Sequence, residues 1–396
     1  MVRCALEGDG PVKAITHQVL YKLLSLALAL ALLFGISGKS IKLSGEDWKT
    51  NYAYVFVHGL SGWGSYDTVY KLMPYWGMLG GDLMEYLNQK GFHTYAASVA
   101  PTDSAWDRAC ELYAQLTGTR VDYGKAHSER CGHERYGKDF TGRALIPAFS
   151  SKDKINLLGH SFGGATVRMF ASMMANGSAE EKKATPKKEL SPYFAGGKAD
   201  WIYSVTTLAA PHNGTTAYVH EGDPKEEQSL LQKMMDKFQK EPDRIESDTA
   251  DYDMTIDHAL ALNKTLPISN STYYFSFACS STKKQADGTY AAINSKTEPM
   301  FRSSANRLGK LKGVTEGGFV FDESWRENDG LVNTISAKAP IGQPQQAFDE
   351  NKITRGVWNI MPVYEGDHMS LEGGFVVNIN DIKPLYVDHL SMINSL

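Results

Sequence analysis

One serine of this sequence stands where a catalytic nucleophile would be expected. Ser161 is the centre of GHSFG (159–163), a G-x-S-x-G motif with an apolar stretch before it and a predicted helix after it. The glycines permit a sharp turn from strand to helix, and such a turn lifts the serine hydroxyl into the open. The amino-terminal end of the following helix favours negative charge that develops there. The motif therefore predicts a serine nucleophile.

The serine needs a base, and a late histidine is the best candidate. A serine hydroxyl is a weak nucleophile until a base takes its proton, and an acid must orient that base. After a nucleophile on a strand-turn-helix, the acid follows in the chain and the histidine comes last. His368 lies in a loop-like stretch after the apolar residues 357–363, so we predict that it is the base. His212 follows Ser161 too closely, and His389 falls in a predicted terminal helix, where we expect a surface residue.

Three aspartates are candidates for the acid. Asp329 stands before Gly330 and an apolar stretch, in a loop that suits the acid of such a triad. Aspartate before glycine is also common in plain turns. Asp322 and Asp349 satisfy the same order along the chain, so the spacing alone leaves the choice open.

Two backbone amides are candidates for stabilising the oxyanion that forms during attack. In such sites one donor is the N–H of the residue after the nucleophile, and the other comes from an early loop. The first requirement points to Phe162. The loop His58-Gly59-Leu60 follows the first predicted strand, and it makes the N–H of Leu60 the second candidate.

A second group of residues is typical of a metal site. Asp107, His127 and His133 lie close together in the sequence, with Cys131 between the histidines. One carboxylate and two imidazoles are a ligand set that suits zinc. Histidines in polar loops are more often simply solvated, so the spacing alone does not establish the site.

The composition excludes several classes of protein. The chain has 396 residues, of which 42% are hydrophobic and 22% are charged, and its net charge is −4. These values are typical of a folded globular protein rather than a disordered or repetitive one. A nucleic-acid-binding face needs a surplus of basic residues, which Lys+Arg 41 against Asp+Glu 45 does not supply. We therefore expect no nucleic-acid partner, and the sequence indicates no obligate protein partner.

The amino terminus carries a targeting signal. Residues 23–36 are apolar apart from Ser25, Lys22 precedes them and small residues follow them. This order is typical of a secretory signal peptide, and the run is short for a membrane span, which needs about 20 residues. We predict that residues 1–38 are a signal peptide, with an uncleaved anchor as the alternative, and that residues 39–396 form the folded domain of a secreted protein.

The four cysteines do not form a disulfide or zinc framework. They are Cys4, Cys110, Cys131 and Cys279, and none belongs to a C-x-x-C pair. So few and so scattered cysteines favour free buried thiols, with a Cys110–Cys131 bridge as the alternative.

Short apolar strands alternate with helices along the chain. Apolar and β-forming residues predict strands over 51–57, 93–98, 154–158, 203–208 and 273–278. Apolar spacing and capping residues predict helices over 80–90, 106–116 and 167–175. This alternation indicates an α/β fold, in which helices cover both faces of a mostly parallel sheet.

Long stretches of the sequence resemble one known family. The chain is similar to the secreted triacylglycerol lipases of thermophilic bacilli and staphylococci, which are α/β-hydrolases. The similarity extends from about Tyr54 to Asp367. Its main segments are VHGLSGWG (57–64), YWGMLGGDLMEYLNQKGFHTY (75–95), SAWDRACELYAQLTGTRVDYGKAHSERCGHERYG (104–137), SVTTLAAPHNGTT (204–216), WRENDGLVNT (325–334) and GVWN (356–359).

The resemblance implies an α/β-hydrolase fold and a lipid or ester substrate. It implies that Asp329 is the acid and His368 the base of a triad with Ser161. It also implies that Leu60 and Phe162 donate to the oxyanion.

The resemblance further implies a structural zinc ion near a lid, with Asp107, His127 and His133 as three of its ligands. The family's fourth ligand is an aspartate in the insertion after the P-H-x-G-T-T motif, and this insertion is much shorter here. In one alignment, Asp257 takes the place of this fourth ligand. In the other alignment, Asp251–Asn263 matches a family segment beyond the missing piece.

A calcium site of the family is not expected in this chain. The family holds calcium with acidic residues just after the catalytic histidine. Here Ser370 stands where a carboxylate is expected. Calcium in proteins is held mainly by carboxylate and carbonyl oxygens, so this departure argues against the site.

The shortened insertion, residues 217–257, bears on the substrate. In the family it forms a lid that opens at a lipid surface, and residues 228–240 here carry an apolar stripe at helical spacing (Leu231, Met234, Met235 and Phe238). The alternative is an ordinary surface helix packed on the core. A small lid fits a lipase or an esterase for short acyl chains. A non-catalytic α/β-hydrolase-like binding protein and a hydrolase of amides or thioesters are further alternatives.

Overall fold

Parallel strands form the central sheet. The structure is a computed structural model that describes residues 48–219, 245–374 and 378–396. Within these residues the strands of the sheet are β1 (Ala53–Val57), β2 (Thr94–Ala97), β3 (Ile155–His160), β4 (Ile202–Leu208), β5 (Tyr273–Phe277), β6 (Gln345–Ala347) and β7 (Trp358–Ile360). They stand in the order β6-β7-β5-β4-β3-β1-β2, and every neighbouring pair is parallel.

The middle strands are apolar because helices cover both of their faces. All residues of β3 and β4 are buried, and in β1 the burial extends from Tyr54 to Val57. Strands that are buried on both faces show continuous apolar runs rather than alternation. The structure confirms the predicted α/β fold with its parallel sheet. It adds β6 and β7, which the sequence did not predict because each has only three residues and β6 is polar and half exposed.

Helices flank the sheet. The α-helices are α1 (Leu83–Gln89), α2 (Ala105–Thr117), α3 (Lys125–Cys131), α4 (Phe162–Asn176), α5 (Ala179–Ala184), α6 (Pro192–Ala195), α7 (Ala250–Asp253), α8 (Ile256–Thr265), α9 (Pro299–Leu308), α10 (Thr334–Lys338) and α11 (Ile379–Ser395). Short 3-10 helices are Thr68–Lys71, Met78–Gly80, Ala199–Trp201, Thr216–Tyr218, Glu246–Asp248 and Glu323–Trp325.

The two faces of the sheet receive different helices. Val55 and Val57 of β1 belong to the core that β1 shares with α2 and α4. Tyr54 points to the opposite face, since successive side chains of a strand alternate. There its hydroxyl oxygen lies 2.9 Å from the carbonyl oxygen of Leu390 and 2.7 Å from Oδ1 of Asn394, both on α11. Helices therefore pack on both sides of β1.

His389 lies on the buried face of α11, so its predicted position at the surface is wrong. Its side chain is 4% exposed, and its Nε2 is 2.9 Å from Oγ1 of Thr206 in β4. The edges of the Phe275 and Phe277 rings contact the imidazole. Burial lowers the pKa of His389 to about 3. The imidazole is therefore neutral at physiological pH.

Four small strand pairs lie outside the central sheet of the described residues. Three are antiparallel: Arg120–Asp122 with Tyr136–Asp139, Thr282–Lys284 with Tyr290–Ala292, and Gly313–Val314 with Val320–Phe321. The fourth pairs Cys279–Ser280 with Tyr364–Glu365 in parallel. This last pair extends beyond β5 and β7, and it holds the start of the loop that carries His368.

The described cysteines are free thiols. Cys110, Cys131 and Cys279 are buried and make no disulfide. The prediction of free buried thiols is confirmed for these three, and the alternative Cys110–Cys131 bridge is wrong.

Three predictions concern residues outside the described ranges. They are the signal peptide over 1–38, the fourth cysteine, Cys4, and the lid helix over 228–240. Among the residues that the structure does describe, no helix is both long enough and apolar enough to span a bilayer.

Candidate active site and metal site

Ser161 occupies a strained turn between β3 and α4. Its φ is 54°, in the left-handed region that side chains other than glycine rarely adopt. Two glycines make the turn sterically feasible. A Cβ at Gly159 would lie 2.3 Å from the carbonyl oxygen of Gly163, and a Cβ at Gly163 would lie 2.2 Å from that of Val57. The motif's glycines are therefore required by close backbone packing, and strain of this kind is concentrated at functional sites.

The structure brings the three predicted triad residues together. Nε2 of His368 is 2.7 Å from Oγ of Ser161, and Nδ1 of His368 is 2.9 Å from Oδ2 of Asp329. All three side chains are buried. This is the arrangement in which a histidine can take the serine proton while a carboxylate orients the imidazole.

The backbone around Asp329 determines which of its oxygens faces the histidine. Oδ1 accepts hydrogen bonds from the N–H groups of Leu331 and Val332, at 2.9 and 2.7 Å. Oδ2 is thereby directed to His368. The rival aspartates are engaged elsewhere: Asp322 accepts from Ser324, and Asp349 pairs with the exposed Lys352. Of the three candidates, Asp329 is the residue that contacts His368.

The electrostatic environment favours the protonated form of His368. Burial lowers its pKa, but the charge and hydrogen bond of Asp329, together with the charges of Glu372 and Asp367, raise it by more. The net effect is a pKa above the ordinary value for histidine. The site therefore stabilises the imidazolium that would form when the serine loses its proton.

Both predicted oxyanion donors lie beside Ser161. Phe162 is the first residue of α4, so its N–H has no acceptor within the helix. Leu60 follows Gly59, which packs so closely that a Cβ there would be 2.8 Å from Cβ of Ser161. The loop after β1 therefore lies against the nucleophile.

Arg108 supports both donors, although no sequence motif points to it. Its Nη2 donates to the carbonyl oxygen of His58, and its guanidinium lies over the Phe162 ring at 4.9 Å. The side chain is completely buried, and burial lowers its pKa to about 10. Arg108 is therefore still charged at neutral pH. A buried arginine is rare, so neither composition nor spacing indicates one.

The predicted metal ligands also converge. Nε2 of His127 is 3.0 Å from Oδ1 of Asp107 and 3.3 Å from Oδ1 of Asp248. Nε2 of His133 is 3.7 Å from Oδ2 of Asp107 and 3.3 Å from Oδ2 of Asp248. Two imidazoles and two carboxylates thus surround one point, as tetrahedral zinc coordination requires.

The polar atoms at this point fit a cation. Nε2 of both His127 and His133 and both oxygens of Asp248 are buried and make no hydrogen bond among the described residues. Such groups are normally satisfied, so their convergence needs an explanation, and a metal ion supplies one. Without a metal, burial lowers the pKa of His127, but Asp107 and Asp248 raise it to about 9.

Cys131 lies within the same group, but its thiol is on the Nδ1 side of the His127 ring. His127, Cys131, His133 and Asp248 each place a potential ligand atom within 4.8 Å of the others. Sγ of Cys131, however, contacts Nδ1 of His127 at 3.8 Å, and the two carboxylates face Nε2. A metal bound at Nε2 would therefore take Asp107 rather than the thiol as its fourth ligand.

The proposed substitute ligand Asp257 is wrong, and Asp248 is the residue that the prediction missed. Asp257 instead accepts hydrogen bonds from Thr315 and from the N–H of Gly317. Asp248 ends the 3-10 helix Glu246–Asp248, just before the segment Asp251–Asn263. Neither alignment of the shortened insertion identified Asp248.

Four different elements supply the metal group. Asp107 lies on α2, His127 on α3, His133 just after α3, and Asp248 in a 3-10 helix. The ring of Trp106 stacks on His127 with the centroids 5.0 Å apart. The buried Glu181 accepts from the N–H of His127 and so fixes the start of α3. A metal here would join α2 and α3 to the 3-10 helix Glu246–Asp248, which is distant from them in the sequence.

Ser370, the residue that replaces a carboxylate, is used in a local hydrogen-bond network. Its Oγ donates to Oδ1 of Asp367 at 2.9 Å. The other oxygen of Asp367 accepts from the N–H of Glu298. Both oxygens of Asp367 are therefore engaged by protein groups.

Comparisons with known proteins agree with the fold and with the predicted family. The family described as "Lipase-like, C-terminal domain" matches residues 50–245 and 234–383. A lipase of Staphylococcus epidermidis is 31% identical over 83% of this chain and 51% of its own length. Lipase 2 of Staphylococcus aureus is 32% identical over 81% of this chain and 50% of its own length. The chain thus spans about half the length of these relatives.

Solved structures show the same architecture over nearly the whole chain. EstA from Clostridium botulinum is 30% identical, with a TM-score of 0.78 over 91% of this chain and 92% of that one. The Staphylococcus hyicus lipase is 27% identical, with a TM-score of 0.74 over 89% of this chain and 98% of that one. These similarities confirm the predicted resemblance to staphylococcal lipases. The chain belongs to the lipase-like, C-terminal domain family.

Proposed function

We propose that this protein is a serine hydrolase of carboxylic esters, most specifically a triacylglycerol lipase. The observation that carries the proposal is the contact of one buried histidine, His368, with both Ser161 and Asp329 at hydrogen-bonding distance. The family and the lipases among its relatives support the substrate class.

In the proposed mechanism, Oγ of Ser161 attacks the ester carbonyl carbon while Nε2 of His368 takes its proton. The N–H groups of Leu60 and Phe162 donate to the carbonyl oxygen as it becomes negative. The C–O bond to the alcohol then breaks, and the imidazolium protonates the leaving alcohol. A water molecule, deprotonated by His368, then attacks the acyl carbonyl carbon, and the acid leaves as the imidazolium returns the proton to Oγ of Ser161. Asp329 orients His368 and stabilises its positive charge throughout.

The acyl-chain preference distinguishes a lipase from an esterase. We expect hydrolysis of p-nitrophenyl esters to increase with chain length, and emulsified triolein to be cleaved, because a lipase acts at a lipid surface. The assay compares wild type with Ser161→Ala over short to long esters and a matched amide series. Activity confined to short soluble esters would contradict the lipase assignment and leave an esterase. Faster cleavage of the amides than of the esters would contradict both the lipase and the esterase assignment.

A non-catalytic binding protein is the candidate from another class. A fluorophosphonate reacts with a serine only when a base activates it, so the probe reports the triad without reference to any substrate. We expect stoichiometric labelling at Ser161, located by peptide mass spectrometry. A folded protein that stays unlabelled would favour the binding protein.

We also propose that the protein is extracellular. The apolar run and its flanking residues in the first 38 positions support export. The mature amino terminus of protein recovered from culture medium tests this. Protein that stays in the cell with its terminus intact would contradict it.

We propose that Asp107, His127, His133 and Asp248 hold a structural zinc ion. Two nitrogen and two oxygen ligands are consistent with zinc. The ion would link α2, α3 and the segment before α7, and it would have no part in the chemical steps.

Metal removal gives a direct test of these ligands. We expect one zinc per chain in wild type, and a chelator should lower Tm by about 5 °C, because an ion that binds only the folded state stabilises it. Asp248→Asn should lose the metal and show the lower Tm without chelator. Asp257→Asn is the matched control and should retain the zinc. Loss of zinc from Asp257→Asn but not from Asp248→Asn would show that Asp257, and not Asp248, is the fourth ligand.

A further inference from the structure

A second buried pair of an acid and a histidine lies directly behind the triad. His160 precedes the nucleophile in the motif, and its side chain is 1% exposed. Its Nδ1 is 2.9 Å from Oε2 of Glu372, whose side chain is completely buried. A buried carboxylate is costly unless a positive or hydrogen-bonding group compensates it. The mechanism described above does not use this pair.

The other nitrogen of His160 contacts the backbone of the proposed catalytic base. Nε2 of His160 is 2.8 Å from the carbonyl oxygen of His368. A carbonyl oxygen only accepts hydrogen bonds, so Nε2 must carry the hydrogen. Nδ1, on the other side of the ring, faces the carboxylate of Glu372. His160 therefore links Glu372 to the main chain at His368.

Tyr75 extends the link to the loop that carries the oxyanion donor. Its hydroxyl oxygen is 2.7 Å from Nδ1 of His160 and accepts from the N–H of Gly59 at 3.0 Å. Gly59 directly precedes Leu60 in the loop after β1. Burial, reinforced by the charge of Glu372, raises the pKa of Tyr75 well above its usual range. The hydroxyl thus keeps its proton.

We propose that Glu372, His160 and Tyr75 are positioning residues that align the catalytic base with the nucleophile and the oxyanion loop. The three side chains connect the turn at Ser161, the loop of His368 and the loop before Leu60. This inference rests on the proposed function, because it assigns the network a role in that reaction. Proton transfer depends on alignment to within a fraction of an ångström, so loosening the link slows the chemical step rather than substrate binding.

Glu372→Gln tests the charge of the network with little change in volume. We expect kcat for p-nitrophenyl butyrate to fall by about tenfold or more while KM stays within about twofold. Glu365→Gln is the matched control, because Glu365 lies in the short strand that leads into the same loop, is 84% exposed and is 3.9 Å from the Lys296 ammonium group. The control should leave both constants unchanged. If the network only stabilised the fold, Glu372→Gln would lower the fraction of enzyme molecules that are active. The active molecules would keep the wild-type kcat and KM.

A spectroscopic readout follows the alignment independently of turnover. The proton on Nδ1 of His368, shared with Asp329, should give a low-field NMR resonance. We expect this resonance to shift or broaden in Glu372→Gln and to be unchanged in Glu365→Gln. If wild type has no esterase activity, the proposed function fails, and this resonance still decides whether the network positions His368.

Two outcomes would overturn the inference. The first is a folded Glu372→Gln protein whose kcat per active site equals that of wild type and whose His368 Nδ1 proton resonance has not shifted. The active sites are counted by titration with a fluorophosphonate. If Glu372→Gln does not fold, Tyr75→Phe decides, since it deletes one hydroxyl and retains the ring. We expect a kcat several-fold below wild type at constant KM. An unchanged kcat in that variant would be the second contradicting outcome.

Discussion

Ser161→Ala is expected to lower kcat for ester hydrolysis by about a million-fold, to the level left by binding and the oxyanion donors. The loss follows from the proposed chemistry, because alanine has no oxygen to form the acyl-enzyme. The fold should persist: alanine keeps the Cβ that packs against Gly59, and the backbone of the turn is held by the N–H of Ser161 donating to Leu208. The measurement is kcat with p-nitrophenyl esters, together with Tm.

A second serine on the same helix provides the control for this variant. Ser172 lies on α4, away from the motif, and its buried side chain contacts Asn176. Ser172→Ala should retain wild-type kcat. Residual activity of Ser161→Ala above about one per cent of wild type, after exclusion of contaminating esterases by fluorophosphonate titration, would show that another group is the nucleophile.

Asp329→Asn is expected to lower kcat by about ten-thousand-fold while the protein remains folded. Oδ1 of Asp329 accepts two backbone N–H groups, so the asparagine oxygen is held there and its NH₂ group is turned towards His368. An amide donor facing Nδ1 favours the hydrogen on Nε2, the wrong tautomer for accepting the proton of Ser161. The substitution also removes the negative charge that stabilises the imidazolium.

The pH profile provides a second readout of Asp329. His368 must be neutral to accept the serine proton, so kcat/KM rises as the pH passes the pKa of His368. Against the effect of burial, Asp329 contributes to raising that pKa, so its replacement should move the rise to lower pH. Asp322→Asn is the control, since Asp322 only caps a 3-10 helix at the surface. A wild-type profile for Asp329→Asn would exclude it as the acid.

The turn at Ser161 was predictable because its signal is local. The requirement for glycine at 159 and 163 arises from backbone contacts within the motif and with β1, and it appears directly as a residue type. The apolar strands were predictable for a similar reason, since burial on both faces demands continuous apolar side chains. The candidate metal ligands Asp107, His127 and His133 are also close in sequence and carry recognisable ligand types.

The partners of Ser161 were harder to assign because they are remote along the chain. His368 lies 207 residues after Ser161 in the chain. The order of the strands in the sheet brings the two residues together. Order and loop context narrowed the acid to three aspartates, and the resemblance to a family selected Asp329. Asp248, which the structure places beside His127 and His133, lies within the shortened insertion, where neither spacing nor alignment defined its position.

The sequence alone was sufficient to predict the class of fold, the turn that carries Ser161 and the chemistry expected of that serine, because each depends on residue types a few positions apart. Tertiary packing was needed to identify the buried ionisable side chains. Arginine, glutamate and histidine are residue types that are seldom completely buried. Arg108, Glu372 and His389 are nevertheless buried here. Their burial results from contacts with distant elements: the loop of His58, the ring of His160 and the strand of Thr206. No local pattern encodes such contacts, so the network behind the triad is visible only in the folded chain.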